Sequence, residues 1–387
     1  MEAKKTVLTR SVTIEPTDTV IEFAPVSTRV FSHCSLRDRL YNSVFRTAQR
    51  LPVDVRYDMY LPLLNTVTSR YPLGTNVYER DWDVLIVLDS CRVDALRTVA
   101  PEYDFIGEVE STTSVGSFTG EWLLKTFTER YRQEIAETAY ISPSAWTYRI
   151  FTERIQTYDT VDTARQHTDI DIDGADFELV KESYRHLYRG WPEWRTVPES
   201  AFGRIENVWL YPVREPETRY HPETTQVPHI VTDRAIAVGR EHDFDRLVVH
   251  YTVPHYPFIG GVDPETELGP HQAHTFPTAL RDGETTIDAV WEAYLDNLRL
   301  GLDHVRTLIR NIDADNVALT ADHGEALGEF GIYKHPYGVP HPRVKRVPWT
   351  ETTAEDTGTH SPEFEAFDES TIDGNDITEN LDALGYL

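Results

Sequence analysis

The chain has 387 residues, of which 40% are hydrophobic, and its 64 acidic against 37 basic side chains give a net charge of −27. This length allows a large buried core, in one large α/β domain or two smaller ones. Eight tryptophans and twenty tyrosines argue against general disorder. The acidic balance disfavours non-specific binding to nucleic acid, because the phosphates would be repelled.

Lysine is scarce: the chain has six, so arginine carries almost all of the positive charge. An acidic, lysine-poor protein is suited to concentrated salt, where charge repulsion is screened within a few ångströms. We therefore interpret the charge as a halophilic adaptation to a salty cytoplasm rather than as a dedicated cation-binding surface.

Two cysteines, Cys34 and Cys91, are too few for a disulfide framework. The first residues lack the apolar core of a signal peptide, and no run approaches the ~18 apolar residues of a membrane span. We expect a soluble cytoplasmic protein without membrane insertion.

Residues 1–75 have weak periodicity, with a helical stripe over Leu36–Leu51, and are predicted to form an N-terminal extension packed on the core. The pattern changes at Val84–Leu88, a continuous apolar run typical of a buried parallel strand. Asp89 follows this strand, and Cys91–Val99 then reads as a helix. An acid at this position is either a helix cap or a ligand at the end of a strand.

A hydroxyl-rich loop comes next and leads into a helix that is predicted to start near Gly120. A Ser or Thr just before a helix is usually a cap, but a nucleophilic hydroxyl is also placed there, because the helix N-terminus stabilises an anionic ester under attack. The candidates in this loop are Thr113, Ser114 and Ser117.

Residues 128–240 have the weakest secondary-structure pattern in the chain. They are predicted to be an insertion or lid, with a helix over Phe177–Tyr188. Leu247–Tyr251 is a third strand, and His255 follows it on a loop stiffened by prolines. Thr285–Ile312 is a long amphipathic helix that completes an α/β crossover.

The apolar run Val317–Ala321 ends in Asp322, His323, Gly324 and Glu325. Asp and His at the C-terminal end of a buried strand are good ligands for a divalent cation, and two strands that each end in an acid favour a shared site. Further along the chain, Lys334 and His335 stand out in a lysine-poor protein, and the prolines that follow fix their backbone. Val344–Trp349 is predicted to be an outer strand, residues 351–375 an acidic linker, and Ile377–Tyr386 a closing helix.

Several of these stretches occur in the order found in the alkaline-phosphatase superfamily, and the chain resembles its sulfatase-like branch. The stretches are Val84–Arg92, Pro254–Pro257, Leu319–Glu325, Lys334-His335, Arg346–Trp349 and the terminal Leu-Gly-Tyr. The resemblance implies a doubly wound α/β fold with a mostly parallel central sheet flanked by helices, so that residues 76–387 would form the catalytic domain.

The resemblance also implies the roles of the site residues. One divalent metal ion would be held by Asp89, Asp322 and His323, with His335 as a further ligand. A Ser or Thr would attack phosphorus or sulfur in a covalent mechanism. The loop resembles that of lipoteichoic acid synthases, which places the nucleophile at Ser117, with Ser114 and Thr113 as alternatives.

Other features of the sequence refine this assignment. His255 would contact the transferred group or protonate the leaving oxygen, and Lys334 or Arg92 would hold an anionic oxygen. The Cys-x-Pro-x-Arg sequence of formylglycine sulfatases is absent, which favours phosphate chemistry and leaves Cys91 as a packing residue. An Asp-x-x-x-His pair typical of two-metal enzymes occurs only at Asp356 and His360 in the acidic tail, which favours a single metal.

We therefore predict a metal-dependent hydrolase of phosphate or sulfate esters, acting on small-molecule or glycan substrates. A transferase that moves the same group onto a glycan or lipid acceptor, and a non-catalytic binding protein on the same fold, remain alternatives.

Overall fold

The computed structural model describes residues 73–153, 195–211, 228–241, 244–263, 266–329, 332–336 and 339–363. The predictions for the segment before residue 73 and for the helices Phe177–Tyr188 and Ile377–Tyr386 lie outside these ranges.

Three strands at the centre of the sheet come from the apolar runs of the sequence: β1 (Val84–Leu88), β5 (Arg246–Tyr251) and β6 (Ala314–Thr320). β1 pairs in parallel with β5 on one side and with β6 on the other. All five side chains of β1 are buried, and they alternate between two hydrophobic clusters on opposite faces of the sheet. A strand covered on both faces needs a continuous apolar sequence, which is why Val84–Leu88 could be predicted as a strand.

Four further strands complete a seven-stranded sheet: β2 (Glu110–Thr113), β3 (Thr138–Ser142), β4 (Arg204–Asn207) and β9 (Arg346–Ala354). The order is β2-β9-β6-β1-β5-β3-β4. The five strands from β6 to β4 are parallel, whereas β9 pairs antiparallel with β6 and β2 antiparallel with β9. A separate two-stranded sheet joins β7 (Ala326–Leu327) and β8 (Tyr333–Lys334).

Helices cover both faces of this sheet. Within the described ranges they are α1 (Val93–Val99), α2 (Thr119–Thr126), α3 (Arg132–Ala136), α4 (Pro228–Glu241), α5 (Phe276–Asp282), α6 (Ile287–Ile309) and α7 (Pro342–Lys345). α1, α4, α5 and α6 contribute to one hydrophobic cluster, and α2 and α3 contribute to the other. The predicted doubly wound, mostly parallel α/β fold is confirmed.

Several boundaries differ from the sequence-based expectation. The long crossover helix is α6, which begins after Thr286, whose hydroxyl accepts a hydrogen bond from the Ala289 N–H at 3.2 Å. β9 is not an outer strand, because β2 lies beyond it. Its last residues, 351–354, fall within the segment predicted as an acidic linker.

Residues 128–240, predicted as an insertion or lid, supply β3, β4 and α4 to the central layers. The described part of this range therefore belongs to the core, and the division of the chain into an extension, a domain and a lid stays a prediction. Among the helices described, none is long and apolar enough to cross a membrane.

The register of the central strands positions the site. Val87 of β1 pairs with Thr320 of β6, so that Asp89 and Asp322, each two residues further on, leave the sheet side by side. Parallel strands present their carboxyl ends at one edge, where α/β proteins hold their ligands.

Candidate metal centre and nucleophile

The turn after β1 aims Asp89 at the neighbouring strand. Ser90 has a left-handed backbone with φ 65°, which is strained for a residue other than glycine. Its hydroxyl donates to Asp89 Oδ1 at 2.9 Å, and its N–H donates to Asp322 Oδ1 at 3.2 Å. The Tyr294 hydroxyl of α6 donates to the Ser90 carbonyl at 2.7 Å. These bonds tie the ends of β1 and β6 together through one strained turn.

Asp89, Asp322 and His323 form a buried group whose ligand atoms all lie within 4.8 Å of one another. His323 Nε2 is 3.3 Å from Asp322 Oδ2 and 3.4 Å from Asp89 Oδ1. The Nδ1 atom of His323 faces the Gly324 carbonyl at 3.0 Å, so it carries the proton and leaves the Nε2 lone pair directed at the two carboxylates. Gly324 is required here because a Cβ would lie 2.1 Å from the Arg343 carbonyl oxygen.

This group fits a divalent cation. Two carboxylates and an imidazole are a donor set that hard-to-borderline divalent ions accept. Burial, and then the negative charge of Asp322, raise the pKa of Asp89 well above its usual range. In the part of the chain that the structure describes, the buried Asp322 Oδ2 has no hydrogen-bond partner. A cation between these atoms would satisfy the orphaned oxygen and offset the repulsion of the two acids.

The hydroxyl that meets this group belongs to Thr119, the first residue of α2. Thr119 Oγ1 lies 3.4 Å from Asp89 Oδ2 and 3.4 Å from His323 Nε2. Thr119 was not among the predicted nucleophiles. The signal was present in the sequence, since Thr119 directly precedes Gly120, where the helix was expected to start.

The predicted nucleophiles are engaged elsewhere. The Ser117 hydroxyl and N–H both donate to Glu121 Oε2, at 2.6 and 2.7 Å, and the side chain is fully buried. The Ser114 hydroxyl donates to the Asp322 carbonyl rather than facing the carboxylates. Thr113 lies in β2, where it pairs with Arg346. The hydroxyls of Ser117 and Ser114 therefore bond to groups other than the Asp-Asp-His side chains, and the loop reaches those side chains two residues after Ser117.

A second histidine, absent from the prediction, lies behind the group. His250 of β5 is 1% exposed, and its Nε2 is 3.7 Å from Asp322 Oδ2. Its Nδ1 is 2.8 Å from the Tyr140 hydroxyl, and its ring lies edge-on to Trp122. Burial lowers the pKa of His250 to about 4, so the imidazole is neutral near pH 7. A histidine inside an apolar strand gave no signal that separated it from an ordinary core residue.

Three predicted residues collect at the open edge of the group. The rings of His323 and His335 are 4.4 Å apart, and those of His335 and His255 are 5.0 Å apart. His335 Nδ1 is 3.0 Å from Glu325 Oε2, and Lys334 Nζ lies 4.8 Å from the centre of the Tyr256 ring. His335 as a metal ligand stays a prediction, because the structure places it beside the three-residue group with one ring nitrogen on Glu325.

His255 is held in one tautomer. Its Nδ1 lies 2.5 Å from the Tyr256 carbonyl oxygen, so this nitrogen carries the proton and Nε2 keeps its lone pair. Burial, followed by the nearby His323, lowers the pKa of His255 to about 3. The neutral ring is suited to accept a hydrogen bond at Nε2, whereas the sequence predicted either a contact with the transferred group or protonation of the leaving oxygen.

Arg92 does not reach the group. Its guanidinium donates to both carboxylate oxygens of Asp94 at 2.9 and 2.7 Å, to the Glu325 carbonyl at 3.2 Å, and pairs with Glu329 at 2.8 Å. It also lies over the Trp291 ring, 5.0 Å from its centre. These bonds occupy the guanidinium and tie α1 to the segment that follows Glu325, and the contact of Arg92 with a substrate anion stays a prediction.

Neither protein-family models nor curated protein sequences match the chain. Among solved structures, it is similar to the soluble domain of lipooligosaccharide phosphoethanolamine transferase A from Neisseria meningitidis, at 15% identity over 72% of this chain and 77% of that chain, with a TM-score of 0.39. It is also similar to the periplasmic domain of phosphoethanolamine transferase EptC from Campylobacter jejuni, at 13% identity over 70% and 78% of the two chains, with a TM-score of 0.33.

A third similar structure is the phosphonate monoester hydrolase SpPMH from Silicibacter pomeroyi, at 16% identity over 79% of this chain and 73% of that chain, with a TM-score of 0.25. All three are members of the alkaline-phosphatase superfamily, which the sequence motifs resemble. Since the TM-scores are below 0.5, the fold of this chain is assigned from its own sheet and not from these likenesses.

Proposed function

We propose that this protein is a metal-dependent enzyme that hydrolyses phosphate or sulfate esters through Thr119 as the nucleophile. The observation that carries the proposal is the position of Thr119 Oγ1, 3.4 Å from both Asp89 Oδ2 and His323 Nε2 in a buried Asp-Asp-His group. A hydroxyl that is packed only for stability is not expected to meet two of the three candidate cation ligands where β1 and β6 end.

The surroundings of Thr119 favour an anionic substrate. It is the first residue of the eight-residue helix α2, so it lies at the end where the N–H groups have no partner within the helix and the dipole is positive. A bound divalent ion would lower the pKa of the hydroxyl and neutralise charge that develops on the transferred group. Asp89, Asp322 and His323 are the residues that would hold it.

The first half-reaction transfers the phospho or sulfo group to the protein. Thr119 Oγ1 forms a bond to phosphorus or sulfur as the bond to the leaving oxygen breaks. The hydroxyl donates to Asp89 Oδ2, so Asp89 takes its proton. Lys334 lies at the same edge and supplies a positive charge and a proton to the leaving alcohol.

The second half-reaction releases the group by attack of water on the threonine ester. His255 accepts a hydrogen bond from the water at Nε2, because Nδ1 is committed to the Tyr256 carbonyl, and the Lys334 amine left by the first half-reaction takes the proton of the water. Cleavage of the bond to Oγ1 then restores the Thr119 hydroxyl with the proton that Asp89 held. The net reaction consumes one ester and one water and yields an alcohol and an acid.

The same geometry performs transfer if a hydroxyl of a glycan or lipid replaces the water. The matched structures name two reactions to include in a test, phosphoethanolamine transfer and hydrolysis of a phosphonate monoester. If the phospho or sulfo group is recovered on an added acceptor and not as free acid, the protein is a transferase and not a hydrolase.

The test combines metal analysis with turnover of nitrophenyl phosphate, phosphodiester, phosphonate and sulfate esters in high salt. Thr119→Val should lower kcat by at least about 10³-fold on the best of these substrates, because the bond-forming oxygen is lost.

The kcat of Ser117→Ala should stay within about tenfold of the wild-type value, because the Ser117 N–H still bonds Glu121. Thr98→Val, on the exposed side of α1, is the matched control. Wild-type turnover by a metal-loaded Thr119→Val protein would overturn the proposal.

A further inference from the structure

Three charged side chains, Glu121 and Lys125 of α2 and Lys345 of α7, are buried close together. Glu121 is 2% exposed, Lys125 5% and Lys345 4%. Two of the six lysines in the sequence, Lys125 and Lys345, therefore lie near the buried carboxylate of Glu121. Burying three ionisable groups costs free energy unless they compensate one another, so this cluster needs an explanation.

The carboxylate of Glu121 uses both of its oxygens. Oε1 accepts from the Lys125 ammonium one helical turn later. Oε2 accepts from both the N–H and the hydroxyl of Ser117. Burial alone would raise the pKa of Glu121, but the charges of Lys125 and Lys345 hold it at about 2, so the group is an anion. Burial lowers the pKa of Lys345 to about 7, against the attraction of Glu121.

The bonds to Ser117 fix one end of the turn 114–118, and other contacts fix the rest. The Ser114 N–H donates to the Lys345 carbonyl at 2.7 Å, and the Ser114 hydroxyl donates to the Asp322 carbonyl. Gly116 packs so closely on α2 that a Cβ at this position would lie 2.5 Å from the backbone nitrogen of Trp122. Thr119 follows Ser117 by two residues, so the position of its hydroxyl depends on how this turn is held.

We propose that Glu121 is a positioning residue: its carboxylate, paired with Lys125 and flanked by Lys345, fixes the turn 114–118 and so sets Thr119 Oγ1 between Asp89 and His323. The inference rests on the proposed role of Thr119 as nucleophile. An ionised carboxylate suits this task because charge-assisted hydrogen bonds are short and strong, and one oxygen can accept from two donors of the same residue. A neutral amide has one acceptor oxygen and one NH₂ group, so it cannot present an acceptor atom to Lys125 and another to Ser117 as the two carboxylate oxygens do.

The test is Glu121→Gln, compared with Glu206→Gln. Glu206 is a matched control because it is 3% exposed and pairs with two cations, Arg234 and Arg204, on the edge strand β4 away from the site. We expect Glu121→Gln to retain its metal and its KM within about twofold, and to lose kcat by about 100-fold, as expected for a misplacement of reacting groups by about 1 Å. Glu206→Gln should lose stability while its kcat stays at the wild-type value. An equal effect of the two variants on kcat would overturn the proposal.

A second variant covers the case in which Glu121→Gln does not fold. The double change Glu121→Leu with Lys125→Met removes the ion pair as a unit and leaves no unpaired ammonium from Lys125. A folded double variant with wild-type kcat would overturn the proposal, and a folded one with kcat about 100-fold lower supports it.

Hydrogen exchange of the segment 113–122 gives a readout that does not need turnover. In Glu121→Gln this segment should exchange at least about tenfold faster than in the wild type, with little change in β1 and β6. If the wild type hydrolyses none of the esters but the exchange result holds, the proposed function fails and the positioning of the turn stands. If Thr119→Val abolishes turnover but Glu121→Gln leaves kcat and exchange unchanged, the positioning fails and the function stands.

Discussion

His250 lies next to Asp322 of the candidate metal centre, and a buried polar atom of each side chain faces the other. Within the described ranges, His250 Nε2 and Asp322 Oδ2 have no hydrogen-bond partner, and they are 3.7 Å apart. Tyr140 holds the other ring nitrogen at 2.8 Å and so fixes the ring plane. Groups that orient a metal-ligating carboxylate from behind tune the affinity of the metal itself.

We predict that His250→Leu lowers metal affinity by about 10- to 100-fold, because Asp322 loses the polar group behind it and Tyr140 loses its partner. Competition with a chelator, followed by metal analysis of the protein, measures this change without any assay of activity. His304→Leu is the control, since His304 is a largely buried histidine on α6 outside the group. Equal affinities of the two variants would show that His250 is only a packing residue.

The three residues of the candidate metal group were predicted from the sequence, whereas the hydroxyl that meets them, Thr119, was not. Continuous apolar runs precede Asp89, Asp322 and His323, so the sequence predicts that these residues lie at the ends of strands. Thr119 and Ser117 differ by two residues at the start of a helix, which is the usual uncertainty of a helix boundary. What separates them is Glu121, which draws the Ser117 hydroxyl away from the ligands, and a contact between side chains has no periodic signal.

At the scale of secondary structure, Arg92 joins α1 to the segment that carries Lys334 and His335. Its contacts with Asp94, the Glu325 carbonyl and Glu329 lie between the end of β1 and the small β7–β8 sheet. Lys334 itself has a left-handed backbone with φ 60°, a strain that the surrounding contacts must maintain. Arg92 therefore holds the segment from which Lys334 approaches the site.

We predict that Arg92→Met lowers the free energy of unfolding by about 2 kcal/mol, because Asp94 and Glu329 lose their buried cation and keep only the half-exposed Arg343. Denaturant unfolding measures this loss, and KM for a phosphate ester measures any contact with substrate. The control is Arg306→Met in an exposed pair with Asp303, which should cost less than about 1 kcal/mol. A stable Arg92→Met protein with a greatly raised KM would instead support the contact with a substrate anion that the sequence predicted.

The elements that the sequence revealed are those buried on both faces. β1, β5 and β6 are apolar throughout their buried length, and α6 has a regular apolar stripe over 23 residues. β2 and β4 read Glu-Ser-Thr-Thr and Arg-Ile-Glu-Asn, so their own sequences carry no strand pattern, and pairing at the two edges of the sheet makes them strands. Tertiary pairing overrides local preference at such edges.

At the scale of the whole molecule, the charge balance is the dominant feature. The sequence carries 27 more acidic than basic side chains, and much of its arginine is used in ion pairs such as Arg240 with Asp356 and Arg299 with Glu102. The acids left over repel one another over distances set by the ionic strength. Local pairs lose strength in salt, but the excess of one sign makes net repulsion the larger effect.

We predict that Tm rises as KCl is increased from about 0.05 to 1 M, because the screening length falls from above 10 Å to about 3 Å over this range. Differential scanning calorimetry of the metal-loaded and metal-depleted protein measures the change, and both forms should gain stability, since the repulsion is spread over the chain. Sucrose is the control, because it favours compact states by exclusion from the surface without screening charge. Most of the rise should fall below about 0.5 M KCl, where the screening length changes most. A Tm that is flat there and climbs only at molar salt would assign the effect to salt exclusion and would count against an adaptation carried by charge.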